Sequence, residues 1–312
     1  MKKICFYLKS VLFIGIFSAI FLTVQAILTP KNHSLFTMND FYNKPENSLD
    51  VIMCGSSHMA FGLNANILTE KTGLSCFSVA INGQKLSYTT EYVKEVLKTQ
   101  SPQFVIVDAY HFARDSQEMP IVDLHYSVDS LRWSLSKIRG ILNNVPVQDQ
   151  AELFFPLIRY HSRWMALTKD DFAYTYNRTV FDGSGNLGFR ELDKTEALEY
   201  CTWSDKDKTE LSEEAVLILE ELIDLSNKHG FKLIFLNLPY ANIPPEYMAR
   251  YNWLYDFCKD KGISYLDYNF NQFESIINYE TDFADSGHLN KYGAEKISQN
   301  FSEYFINLLN EQ

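Results

Sequence analysis

Asp50-Val51-Ile52-Met53-Cys54-Gly55-Ser56-Ser57-His58 is an apolar run that stops abruptly at a glycine and two serines. A short buried strand ending in this way places a serine hydroxyl at the carboxyl edge of a parallel sheet, at the start of the next helix. Ser57 is therefore a candidate nucleophile. A serine hydroxyl is a weak nucleophile at neutral pH and needs a histidine to take its proton and a carboxylate to orient that histidine. Asp285-Ser286-Gly287-His288-Leu289-Asn290 supplies both, between an apolar stretch and a helical tail. The three-residue spacing lets one loop carry acid and base together.

Working outward, strand and helix signals alternate. Strands are expected over 50–54, 76–81 and 104–109, with helices near 64–71 and 88–98; Tyr92, Val93, Val96 and Leu97 recur on one face of the second helix. After about residue 210 the alternation returns, with helices over 212–229, 245–261 and 291–309 and strands over 231–238 and 263–268. Ser212 opens the first of these helices as a cap, in an approximate capping box, and Gly230 closes it. Alternation of this kind predicts right-handed crossovers and a three-layer α/β/α domain over 50–312, with a central parallel sheet of about five strands. All the candidate blocks fall at its carboxyl edge.

Two regions break the pattern. Residues 1–30 carry Lys2, Lys3 and Lys9, then a charge-free apolar run from Val11 to Leu28. This is enough for one membrane-spanning helix with a cytoplasmic amino terminus and an extracytoplasmic domain, the membrane lying along residues 10–28. A signal peptide cleaved after Val24-Gln25-Ala26 is the competing reading, although the run exceeds the usual signal core. Residues 31–49 read as a polar linker. Residues 112–210 form a helical insertion between strands three and four, expected as a cap over the crevice, with an amphipathic helix over 128–142. Within it Arg163 suits a carboxylate or phosphate and Trp164 a sugar face, unless both simply pack the insertion.

Composition narrows the partners. A net charge of −11 over 312 residues argues against nucleic acid, which requires a concentrated basic face. Aromatic residues reach 15%, which fits a ring-lined sugar groove but fits an ordinary aromatic-rich core better. Cys5, Cys54, Cys76, Cys201 and Cys258 lack metal-ligand spacing, so no metal or cofactor is implied. A Cys201–Cys258 disulfide is open to the chain but required by nothing in it.

The pairing of Gly55-Ser56-Ser57-His58 with Asp285-Ser286-Gly287-His288 resembles the SGNH (GDSL-like) hydrolase superfamily, whose flavodoxin-like fold the alternation above would match. The resemblance covers most of residues 50–312. It puts Ser57 at the nucleophile position, Gly83 of Ala80-Ile81-Asn82-Gly83-Gln84 at the second-block glycine, and Asp285 and His288 in the last block. Gly-Ser-Ser-His in place of Gly-Asp-Ser resembles the membrane-anchored branch that includes the teichoic acid D-alanyl transfer protein and alginate-type acetylation proteins. The third block, Gly-x-Asn-Asp, is missing: after the third strand the chain reads Asp108-Ala109-Tyr110-His111.

The resemblance implies a serine esterase or O-acyltransferase acting on acyl groups of a cell-envelope polysaccharide, alongside a membrane-bound O-acyltransferase. The oxyanion would meet the backbone N–H groups of Ser57 and Gly83, with Asn82 or Gln84 as a side-chain donor. Tyr110 and His111 stand where the asparagine is lost and are candidate replacement donors, while His58 either orients substrate or caps the helix. The lost block keeps a second reading open, in which the triad is vestigial and the protein is a non-enzymatic, glycan-binding partner of such a transferase.

Overall fold

The computed structural model describes residues 2–114, 121–176 and 187–310. The chain opens with helix α1 (Lys2–Leu28) and α2 (His33–Tyr42), followed by β1 (Val51–Cys54), α3 (Ser57–Gly62), α4 (Ala65–Thr72), β2 (Cys76–Ser78), α5 (Leu86–Val96) and β3 (Phe104–Asp108). Helices α6 (Ile121–Asp129), α7 (Leu135–Asn144), α8 (Val147–Phe154), α9 (Leu157–Tyr160) and α10 (Lys169–Tyr176) follow, with a 3₁₀ turn at His161–Ala166. The domain closes with α11 (Glu213–His229), β4 (Lys232–Asn237), α12 (Pro245–Lys261), β5 (Ser264–Asp267), β6 (Phe283–Asp285), β7 (His288–Leu289) and α13 (Lys291–Asn310).

Five strands form one parallel sheet in the order β2-β1-β3-β4-β5. This is the flavodoxin-like order, in which the direction of winding reverses between β1 and β3 and leaves a crevice beyond their carboxyl ends. The strands are apolar on both faces because helices cover both faces. Val51, Met53, Phe104, Ile106, Ile234 and Leu236 meet the layer of α3, α4 and α13. Ile52, Cys54, Val105, Val107, Leu233 and Phe235, one residue out of phase, meet the layer of α5, α11 and α12. Phe301 and Phe305 of α13 are buried on the first face, and such a ring contributes about 1.5 to 3 kcal/mol by leaving water.

The expected three-layer architecture is present, with Ser212 accepting the Ala215 N–H at the start of α11 and Gly230 ending it in a left-handed conformation. Other expectations need correction. Segment 31–49 contains α2, whose Ser34, Thr37, Met38 and Phe41 are buried against the domain, so it is not a simple linker. The helices of the insertion do not form one continuous cap: α6 packs on α2 with its Asp123 facing Gly83, α7 packs on α5, and α9 and α10 on α1. Part of the insertion lies outside the described residues. All five cysteines are free thiols, so Cys201 and Cys258 form no disulfide.

What borders the crevice is the extended strand of chain from residue 187 to 198. Leu187 accepts the Ser78 N–H, the Arg190 N–H donates to Ala60, and Leu192 accepts the Lys291 N–H. Glu196 and Leu198 donate to Phe283 and Tyr279. This strap ties β2, α3 and the β6–β7 hairpin to one another. It can lie so close only because residue 188 is glycine: φ is +83°, and a Cβ there would stand 1.9 Å from the Ser78 carbonyl oxygen.

Gly73 provides a comparison, since it is also left-handed (φ +73°) but faces open space. Gly73→Ala is expected to lose about 1 to 2 kcal/mol of unfolding free energy from the backbone conformation alone. Gly188→Ala should lose roughly a further 1 to 3 kcal/mol from the clash, read as a lower urea midpoint. Equal losses in the two variants would mean that the strap swings aside without cost.

Candidate active site

Ser57 is the first residue of α3, and the turn before it is held from below. The Ser56 N–H and O–H both donate to Asp108 Oδ2, at 3.2 and 2.7 Å, while Ser56 Oγ accepts the His58 N–H. Asp108 ends β3, on the opposite side of the winding reversal, and its Oδ1 accepts the Tyr110 N–H at 3.0 Å. The two strand ends touch at Gly55, where a Cβ would lie 2.2 Å from the Cβ of Asp108. Burial raises the pKa of Asp108, and the three donors oppose that shift.

The hydroxyl so presented meets the far end of the chain. Ser57 Oγ lies 2.8 Å from His288 Nε2, across 231 positions of sequence. His288 Nδ1 lies 2.9 and 3.1 Å from the two oxygens of Asp285. An ionised carboxylate only accepts, so Nδ1 carries the proton and Nε2 is left to accept from the serine. Asp285 Oδ1 also accepts the Gly287 N–H at 2.9 Å.

Acid and base sit on a two-stranded antiparallel hairpin in which Asp285 pairs with His288. Asn290 anchors it: its amide donates to the carbonyls of Thr281 and Phe283, and its Oδ1 accepts the N–H groups of Tyr292 and Gly293 at the start of α13. Ser57, His288 and Asp285 are thus brought into one hydrogen-bonded chain.

The neighbouring candidates divide. His58 is buried beside the triad, its ring stacked on Tyr110 at 3.6 Å and 5.5 Å from the ring of His288. Its Nε2 is buried with no hydrogen-bond partner among the described residues. The ring of His111 meets the edge of Tyr110.

Gly83 takes a left-handed conformation (φ +65°) in the turn after β2, where its α-carbon faces Asp123 of α6. Asn82 lines a cleft with Lys31, His33, Tyr126 and Arg190. Gln84 is buried: its Oε1 accepts from Thr89 and the Cys54 thiol, while its Nε2 has no hydrogen-bond partner among the described residues. Of the two readings left open for Arg163 and Trp164, Arg163 takes the packing one, and both lie on the face toward α1. Arg163 donates to the Leu28 carbonyl and pairs with Asp171, and Trp164 is exposed on the 3₁₀ turn that packs on α1.

Three residues of this region escaped the sequence reading. Asp108 was signalled by its place, a carboxylate closing an apolar strand at the same sheet edge as Ser57. Tyr240, just after β4, packs edge-on against both His58 and Tyr110. Arg114 lies over the Tyr110 ring at 3.9 Å. Neither carried a sequence signal, because the stack they complete is formed from the ends of three different strands.

Burial governs the titration of the imidazoles here. It holds His58 well below the usual histidine pKa, helped by the guanidinium of Arg114. It lowers His111 to about 4, and His33 to about 4 with help from Arg190. These side chains are neutral in the fold and take up protons near pH 6.5 once unfolded. The unfolded state therefore binds more protons, and stability present above pH 6.5 is lost as the pH falls toward 4, at most about 1.4 kcal/mol per pH unit for each group. Unfolding free energy is expected to drop by a few kcal/mol between pH 7 and pH 5, with a shallower slope in His111→Asn; a flat profile over that window would contradict the buried neutral state.

No protein-family profile matches this chain, and no curated protein is found to match it. Solved structures do align. A candidate acylhydrolase from Bacteroides fragilis aligns over 87% of this chain and 94% of its own, at 11% identity and a TM-score of 0.42. A GDSL-like lipase from Bacteroides thetaiotaomicron aligns over 89% of this chain and 98% of its own, at 9% identity and a TM-score of 0.38.

Proposed function

We propose that this protein is an SGNH-type serine acyl esterase or O-acyltransferase, working on the outer face of a membrane crossed by α1. The observation that supports it is the unbroken chain from Ser57 Oγ through His288 to Asp285, at 2.8 and 2.9 Å. In this reading Ser57 Oγ attacks the ester carbonyl carbon while His288 Nε2 takes its proton. The imidazolium, held by Asp285, returns that proton to the leaving alkoxide, and the acyl group stays on Ser57. Water or a sugar hydroxyl, deprotonated by His288, then releases it.

The oxyanion of each tetrahedral intermediate would be met by the N–H groups of Ser57 and Gly83 and by Asn82, each donor contributing about 3 to 4 kcal/mol to the transition state. Cys54, at the end of β1, is no rival nucleophile, since burial raises its thiol pKa and keeps it protonated. The substrate is proposed as the O-acyl groups of a cell-envelope polysaccharide, and the partner as a membrane-bound O-acyltransferase. Helix α1, long and apolar enough to cross a bilayer from Ile4 to Leu28, and the resemblance carried by Gly-Ser-Ser-His support that assignment.

One observation favours the second reading, an accessory protein with a vestigial triad. Asp108 occupies the end of β3, where the resemblance would place the third block, and both its oxygens are engaged by Ser56 and Tyr110. The full chain in detergent, treated with a fluorophosphonate probe, separates the two. Labelling is expected at Ser57, abolished in Ser57→Ala, slowed roughly a thousandfold or more in His288→Ala and unchanged in Cys54→Ala. Absence of labelling in the parent protein would favour the accessory role, and loss of labelling in Cys54→Ala alone would mean a different nucleophile.

A further inference from the structure

Helix α1 is bare on all sides from Val11 to Ile20 and gains cover only from Phe21 to Leu28. That cover is α9, the 3₁₀ turn and α10, the middle of the insertion. Lys9 and Lys31 bracket the charge-free part of α1, which at 1.5 Å per residue is roughly 30 Å long, the thickness of the hydrocarbon layer. If α1 crosses the bilayer, as the proposed function assumes, its last two turns lie in the outer half. Whatever packs on them lies there too.

The surface of those packing elements suits that depth. Outside α1, the large apolar side chains left exposed are concentrated in the insertion, and among the described residues only Leu217, Tyr255 and Tyr292 of this kind lie elsewhere. Phe155, Ile158, Trp164, Met165 and Phe172 belong to or border the elements that touch α1, and Trp164 and Met165 are 67% and 75% exposed. Trp133 is near the same end, since it lines a cleft with Gln25, Ala26 and Thr29 of α1. Arg159 and Lys169 are exposed among them, with Asp170 as the opposing charge. Apolar and tryptophan side chains mixed with basic ones are the composition of the headgroup boundary.

The end of α1 gives a second, independent sign. The last carbonyls of a helix lack partners within it and are hydrated in water, but in a lipid layer the protein must supply donors. Here Arg163 reaches the Leu28 carbonyl, and Lys31 reaches those of Ala26 and Thr29. Thr29 and Thr23 turn their hydroxyls back to Gln25 and Ala19.

We infer that residues 155–172, with Trp133, form a monotopic membrane surface that sinks into the outer leaflet beside α1 and fixes the height and tilt of the catalytic domain above the bilayer. The occupant of this face is lipid rather than a second protein, because the face continues the bare surface of α1. A nucleophile held at fixed height would reach acyl donors or polymer close to the membrane rather than material free in solution.

The test uses the full chain in nanodiscs whose phosphatidylcholine is brominated near the headgroup end of the acyl chains, with tryptophan emission as the readout. The chain has four tryptophans, of which Trp203 is buried and Trp253 lies on α12, away from α1. Bromolipid is expected to quench the emission, and Trp164→Phe should remove at least half of that quenching while Trp253→Phe leaves it in place. Quenching that neither Trp164→Phe nor Trp133→Phe reduces would overturn the inference. So would no quenching in a chain that resists carbonate extraction, the outcome expected if the face meets water or a protein partner. Release of the chain by carbonate would instead overturn the membrane-crossing reading of α1, and this inference with it.

Discussion

The carboxylate of Asp108 is the contact on which the arrangement of this protein turns. Two parallel strands end side by side at the point where the sheet reverses its winding, and the carboxylate is buried between them. Withdrawing such a group from water costs several kcal/mol, offset here by three hydrogen bonds of which each, to a charged acceptor, contributes about 1.5 to 3 kcal/mol. Two come from Ser56 and one from Tyr110, so a single side chain sets both the turn that presents Ser57 and the loop that stacks on His58. The contact is possible because residue 55 has no side chain.

Much of this was legible in the sequence, for physical reasons. Strands covered on both faces must read as apolar runs, and Val51 to Cys54, Phe104 to Val107 and Leu233 to Leu236 do. The residues of the hydrogen-bonded chain announce themselves because an interruption such as Gly55-Ser56-Ser57 has few structural uses at the end of such a run. Helix α2 was hidden by its setting: short, and flanked by the polar stretches Lys31-Asn32 and Asn43-Lys44, it reads as part of a linker, yet Ser34, Thr37, Met38 and Phe41 recur at helical spacing and are the residues it buries. The roles of Arg163 and Trp164 were left open for another reason. An amphipathic segment declares that it has an apolar face but not what that face meets, and here the answer was the end of α1.

The strap from 187 to 198 holds the site in another way. The two halves of the hydrogen-bonded chain arrive on different elements, α3 and the hairpin, and nothing local obliges them to stay in register. Backbone hydrogen bonds from one extended segment to both of them supply that register, and Gly188 permits the close approach to β2 that starts it. The aromatic stack of Arg114, Tyr110, His58 and Tyr240 closes the opposite side, giving the imidazole of His58 a rigid setting and a nitrogen with no hydrogen-bond partner among the described residues.

The order of elements along the chain also ties folding to reactivity. All five strands of the sheet are synthesised before residue 268, with Ser57 already in place, but one face of that sheet, sheltered until then by the short helices α3 and α4, is completed only when Ile297, Phe301 and Phe305 of α13 dock. His288 lies three residues before that helix begins. A nascent chain therefore has an unarmed hydroxyl for as long as it is unstable, and the segment that completes its core delivers the base in the same stroke.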